Sequence, residues 1–216
     1  MNAMMSQPDV QFVAVCDVRN SRREAIKNMV DSRYGTKDCA MYPEINDFLE
    51  TRTDIDAVLI ATRHHLHAGL TLRALQAGKH VLVEKPLGTT VAECRRILKA
   101  AEGHQGVVWM GLEYRYKPPI EALIHEVRSG AVGNIKMIFI REHRFPFLPK
   151  VGDWNRFNRF TGGTLVEKCC HFFDLMNQIV GDEPVRVMAS GAQDVNHLDE
   201  SYDGETPDIL LTYSSN

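Results

Sequence analysis

A repeated alternation constrains this chain more than any other feature: short, nearly all-apolar runs, each closed by a polar residue and followed by a helix-like stretch. FVAVC (12–16) ends on Asp17 and leads into SRREAIKNMVDSRYG, a predicted helix with Ser21 near its cap and Gly35 beyond its end. DIDAVLIAT (54–62) precedes LHAGLTLRALQAGK, where Leu66, Leu70, Leu72 and Leu75 lie near one helix face and Gly78 stops it. HVLVEKP (80–86), the helix TTVAECRRILKAAEGH, VVWMGLE (107–113) and the proline-opened helix PPIEALIHEVRSG continue the series. Strands apolar on both faces, alternating with amphipathic helices, imply a parallel sheet covered on both sides. The first half therefore reads as a doubly wound α/β layer.

After Gly133 the pattern changes. NIKMIFIREHRF (134–145) predicts one long strand, followed by the polar and aromatic loop FPFLPKVGDWNRFNRFTGG. A helix over roughly 165–180 and the strand-like stretches VRVMAS and DILLTYS complete a second, α+β region with a mainly antiparallel sheet. With 44% hydrophobic and 25% charged residues, the 216-residue chain has the composition of a soluble globular protein with a sizeable core. A net charge of −3 argues against a general nucleic-acid binder. No apolar window is long enough for a membrane span, and MNAMMSQPDVQ lacks the features of a signal peptide. Cys16, Cys39, Cys94, Cys169 and Cys170 show no CxxC spacing, so reduced thiols in a cytoplasm are expected rather than a disulfide framework.

Ligands of open parallel sheets bind where strand C-termini meet the loops. Four candidates occupy such positions or lie near them. Asp17 could accept hydrogen bonds from both ribose hydroxyls of a dinucleotide or cap the following helix. It favours NAD over NADP, while the nearby Arg19 leaves NADP open. In ATRHHLH (61–67), Thr62, His64 and His67 could contact a cofactor or begin a helix. Glu84-Lys85-Pro86 sets an ammonium at the mouth of an apolar strand. There it is expected to be partly desolvated and free to hydrogen-bond a reacting oxygen, with Glu84 compensating its charge, or else to form an ordinary surface ion pair in a turn. Finally, a continuous helix over GGTLVEKCCHFFDLM would place Glu167, His171 and Asp174 on one face, either as a tuned acid–imidazole pair or as surface charges.

Taken in order, AVCD, IDAVLIAT, AGKHVLVEKPL, GLEYRYKP and the GG…E-x-x-x-H-x-x-D stretch resemble the Gfo/Idh/MocA oxidoreductase family, which includes inositol dehydrogenases and glucose-fructose oxidoreductase. The resemblance implies a dinucleotide-binding Rossmann-like domain over 1–117 and a substrate and dimerisation domain over 118–216. It implies NAD, or NADP, as cofactor and a small sugar, polyol or related hydroxy compound as substrate, with neither nucleic acid nor membrane as partner. It implies assembly into a homo-dimer or tetramer through the second-domain sheet. Lys85, His171 and Glu167 become the catalytic candidates. Asp17, Arg19, Thr62, His64, His67, Glu84, Lys85 and Arg115 become cofactor contacts, and Trp154, Arg156 and Asn158 substrate contacts; no metal ligand is implied.

The chain departs from the family pattern in three ways. Glu167 stands where the family has aspartate, and Arg63-His64 replaces the P-N of a T-P-N loop. The glycine-rich G-x-G-x-x-G turn and its strand are not found, so the Rossmann-like sheet is expected to be incomplete at its N-terminus and the second domain at its C-terminus. A non-catalytic relative that keeps the fold or dimer sheet without dinucleotide binding is the alternative, and a histidine-rich metal protein is a further rival.

Overall fold

The apolar runs of the first half form strands, and every pairing among them is parallel. The structure, a computed structural model, describes residues 3–142, 150–190 and 210–213, of which the side chains of 189–190 and 210–213 are left aside. It divides into two compact units. One runs through Asp56 and includes Gln76–Lys79; the other comprises Ala57–Leu75 and the chain from His80 onward.

In the first unit β1 (Ala14–Cys16) pairs in parallel with β2 (Ala40–Tyr42), joined by α1 (Asn20–Tyr34). Gly35 ends α1 in the left-handed conformation at φ 69°, which glycine adopts without a Cβ penalty. Met5, Val30 and Cys39 form the buried core, against which Phe12, Val15, Ile26, Met29 and Tyr34 pack. Lys27 stitches its rim by donating to Asp31 and to the carbonyls of Lys37 and Cys39. Both β2 and the following α2 (Ile45–Thr51) escape the sequence reading. A three-residue strand and a seven-residue helix carry too little periodicity to register.

In the second unit β3 (Ala57–Ile60), β4 (His80–Glu84) and β5 (Val108–Gly111) form a parallel sheet in that order. Ile60, Val81 and Val83 bury their side chains against Ala74 and Leu75 of α3 (His64–Gln76). The strand-then-helix alternation thus gives the expected Rossmann-like arrangement. α4 (Val91–Glu102) opens with a capping box. Thr90 accepts from Glu93 N–H, and the Glu93 carboxylate accepts from the N–H groups of Thr89 and Thr90. That cap fixes the turn leading out of Lys85. α5 (Pro118–Arg128) follows β5, with proline at its first turn.

Beyond α5 two expectations fail. Ile135–Glu142, read as part of one long strand, has no regular secondary structure. Its β-rich composition is insufficient alone, because a strand needs a neighbour for its N–H and C=O groups, and among the described residues it pairs with none. Residues 143–149 of that stretch lie outside the described residues.

The single helix expected over 165–180 is two, α7 (Thr164–Glu167) and α8 (Cys170–Val180), after a short α6 (Asn158–Thr161). Last, β6 (Val187–Ser190) pairs with β7 (Leu210–Tyr213), antiparallel as the second sheet was expected to be.

Candidate active site

Lys85 emerges from the C-terminal end of β4, and its peptide to Pro86 is cis. Its ammonium donates to the main-chain oxygen of Glu167 at 2.7 Å and to Glu167 Oε1 at 3.0 Å. The two side chains are only 18% and 15% exposed, so this is a shielded ion pair rather than a solvated one. Glu84 does not compensate Lys85. Successive residues of a strand face opposite sides. Glu84 is exposed and lies over Gly111 of β5, where a Cβ would meet Glu84 Oε2 at 3.1 Å.

The same contact explains the broken helix. In a continuous helix the Glu167 carbonyl would accept the N–H of His171, four residues on. Here that carbonyl is turned to Lys85, and His171 N–H reaches Lys168 O instead at 3.4 Å. Glu167 and His171 therefore lie on either side of a turn between two helices and not on one shared helical face.

His171, at the start of α8, is 2% exposed. Its ring stacks on Tyr114, centroids 4.1 Å apart and planes 10° from parallel. Its Nε2 lies 3.5 Å from Glu113 Oε2. Burial, foremost, holds the imidazole's proton affinity below its ordinary value. Glu113 opposes this, and the charges of Lys85, Lys168 and Lys117 add to it. His171 Nδ1 and Glu167 Oε2 are both buried without a hydrogen-bond partner among the described residues. Such atoms are rare in folded proteins. Glu167 Oε2 belongs to the carboxylate paired with Lys85, and the Lys85 charge also acts on His171, so each is a place where a ligand's hydroxyl group can complete the bonding.

Arg115, after β5, spends its guanidinium fork on Asp174 of α8, with Nε to Oδ2 at 2.6 Å and Nη2 to Oδ1. It anchors the helix that carries His171; a cofactor would have to share the arginine with Asp174. At the end of β3, Thr62 is exposed. His67 is fully buried, its Nδ1 2.7 Å from Pro86 O and its Nε2 3.1 Å from Thr62 O. It clasps the loops after β3 and β4, so no ring nitrogen is left over for a ligand. His64 is 8% exposed and meets the Trp154 ring edge-on, centroids 4.8 Å apart.

Residues 1–112 match the oxidoreductase family model for the NAD-binding Rossmann fold, and residues 124–213 match the model for its C-terminal alpha/beta domain. The chain belongs to the Gfo/Idh/MocA oxidoreductase family. It is 28% identical to inositol 2-dehydrogenase of Rhizobium meliloti (strain 1021) over 214 residues, which are 99% of this chain and 61% of that protein. It is 29% identical to trans-1,2-dihydrobenzene-1,2-diol dehydrogenase of Mus musculus, covering 96% of this chain and 58% of that one. A solved structure assigned as a myo-inositol dehydrogenase of Sinorhizobium meliloti 1021 superposes with a TM-score of 0.80 at 26% identity, over 99% of this chain and 60% of the other. The chain thus spans less than two thirds of the length of these relatives.

Within this Gfo/Idh/MocA chain the remaining candidates have local partners of their own. Trp154 touches His64, Arg156 lies 3.9 Å from Asp153, and Asn158 opens α6 close to Gly163. The glycine pair between α6 and α7 is structural. Gly162 has φ +78°, and a Cβ there would come within 2.8 Å of Thr89 O. Asp17 and Arg19 belong to the other unit, where Asp17 Oδ1 accepts the Arg19 N–H at 2.8 Å just after β1. Among the described residues, no three His, Cys, Asp or Glu side chains converge as metal ligands. The sequence reading missed Glu113, Tyr114, Lys117 and Lys168. Glu113 and Tyr114 lay in the quoted GLEYRYKP, but only the contact with His171 singles them out.

Burial, and next the Lys85 charge, press the His64 pKa from 6.5 down to about 3. A histidine so depressed favours the folded state fully above pH 6.5, and that contribution is lost as pH falls from 6.5 towards 3. Denaturant unfolding across this range should show stability declining by on the order of 2–3 kcal/mol near pH 4. His64→Asn should flatten that slope; an unchanged slope would place the titration elsewhere.

Proposed function

We propose that this family member transfers a hydride between a carbinol carbon of a sugar or polyol and NAD, with Lys85, Glu167 and His171 at the reacting centre. The observation that carries this reading is one shielded ammonium, Lys85, paired with Glu167, whose Oε2 lacks a partner among the described residues, and the charge of that ammonium acting on His171, whose Nδ1 lacks one too. A polyhydroxy compound supplies the donors such atoms need. The residues present also fit a nicotinamide dinucleotide. In one unit Thr62 offers an exposed hydroxyl and Lys85 an ammonium at adjacent strand ends; in the other, taken by itself, Asp17 keeps one carboxylate oxygen without a partner among the described residues. That carboxylate would accept from ribose hydroxyls and repel a 2′-phosphate, so NAD is assigned ahead of NADP.

In the proposed step His171 Nδ1 takes the hydroxyl proton while its Nε2–H faces Glu113. A bound NAD would supply the hydride-accepting chemistry for the same carbon. Lys85 donates to the substrate oxygen as negative charge gathers there, and Glu167 fixes both the Lys85 ammonium and a neighbouring substrate hydroxyl. Arg115 and Asp174 keep α8, and with it His171, in register. We also divide the chain into a cofactor domain over 1–117 and a substrate domain over 118–216. Assembly into a homo-dimer or tetramer through the second-domain sheet is supported by the exposed Val187 and Met188 on β6. Five free cysteines support a cytoplasmic setting, and no helix among the described residues is long and apolar enough to cross a membrane.

Initial rates of NAD reduction with cyclic polyols, aldoses, 2-hydroxy acids and simple alcohols test the reading. Turnover with polyols or sugars, faster with NAD than with NADP, is expected. Turnover confined to hydroxy acids or simple alcohols would refute it.

A further inference from the structure

The turn after β5 delivers one side chain that the reaction above does not use. Tyr114 lies face to face with the His171 imidazole. With an imidazole at 4.1 Å on one face, the Lys117 ammonium, 3.4 Å from the same centroid, can stand only over the other. The phenol oxygen is held as well. Lys168, 6% exposed, donates to it and also pairs with Glu142 at 3.2 Å. Tyr114 is therefore pinned at one face and at its hydroxyl, and it presents the remaining face to His171.

We propose that Tyr114 is a positioning residue for the reaction: a plate held by Lys117 and Lys168 that fixes the plane of the His171 imidazole and disfavours a second cation on the ring. The inference rests on reading His171 as the proton acceptor. An aromatic face attracts one cation well. Lys117 already supplies one, and the Lys168 ammonium bound to the phenol oxygen stands 4.6 Å from the same centroid, so an imidazolium on the opposite face would share the ring's negative face charge with both. The groups facing His171 from its neighbours act in the same sense. Lys85 from the end of β4, Lys117 from the turn after β5 and Lys168 from the end of α7 are cationic. Glu113 is the acid set against them and is 56% exposed, while Glu167 is committed to Lys85 and Asp174 to Arg115. The Cys170 thiol beside His171 is pushed up to about 11, chiefly by burial, and stays neutral.

The test is an NMR titration of the His171 side chain without cofactor, beside the pH profile of kcat/KM, in the parent and three variants. Tyr114→Leu removes the plate, admits water and frees both lysines. The His171 titration should move up by about one pH unit, the acid limb of kcat/KM should follow it, and kcat should fall by about tenfold. Tyr114→Phe keeps the ring and the Lys117 contact but loses the Lys168 bond, so the His171 titration and the rate should move by less than in Tyr114→Leu, which a role for the hydroxyl alone would not allow. Lys117→Met keeps the stack and removes the far cation. It should shift the titration upward by about half a unit and guards against a Leu variant that fails to fold.

His171 titrating at the parental pH in both Tyr114→Leu and Lys117→Met would overturn the inference. So would a shifted titration without a shifted rate profile. The NMR arm reads the hold of Tyr114 on His171 directly, so a parent with no dehydrogenase activity would refute the functional reading without obscuring this result.

Discussion

Lys85→Ala should lower kcat by about 10²–10³-fold or more, the loss seen when a preorganised donor to a developing oxyanion is removed. The sequence alone suggests that the fold would be spared, since the residue sits at a strand mouth. The ion pair with Glu167 alters that expectation. Without Lys85, a largely buried carboxylate loses its cation and the Glu167 carbonyl loses its donor, so α7 and the turn to α8 should loosen. A cost on the order of 1–3 kcal/mol follows from leaving charge-assisted partners unmade. Thermal melts beside steady-state kinetics check both parts, and turnover within a few-fold of the parent at saturating cofactor would remove Lys85 from the chemistry.

His171→Ala should lower kcat/KM by about 10²–10⁴-fold, the usual worth of a positioned general base. The shape of the pH profile is the sharper readout. A base works only when unprotonated, so the rate in the parent falls as pH drops through the His171 pKa. Burial, followed by the Lys85, Lys168 and Lys117 charges working against Glu113, lowers that pKa, so the acid limb should lie below the ordinary imidazole value of 6.5. In the alanine variant the residual rate should lose this limb. A variant that kept the parental limb would identify some other group as the base.

Much of this organisation can be read from the residues. Val81, Leu82 and Val83 followed by Lys85 and Pro86 announce a buried parallel strand with an ammonium at its exit, because only a strand covered on both faces is apolar at every position. What periodicity cannot supply is the partner of that ammonium. Glu167 is 82 residues away, while the adjacent Glu84 is excluded by the alternation of strand side chains. The helix spacing of Glu167, His171 and Asp174 suggested one shared face, yet the Glu167 carbonyl is taken by Lys85 and the helix breaks there.

Ile135–Ile140 has strand composition without a strand partner among the described residues, since pairing is decided by the neighbour and not by propensity. Tyr114 was invisible for a related reason. A stacked ring acquires its role from what lies against it, and nothing in GLEYRYKP says that His171 will be there.

Deuterium transfer is the most direct measurement of the central reading. A polyol or sugar carrying deuterium on its reacting carbon, incubated with the protein and NAD, should deliver the label to the nicotinamide C4, detected by NMR of the reduced cofactor. The same incubation with the Lys85→Ala protein should give little reduced cofactor. Label passing to water, or reduced cofactor formed without label, would contradict a hydride transfer at the site built by Lys85, Glu167 and His171.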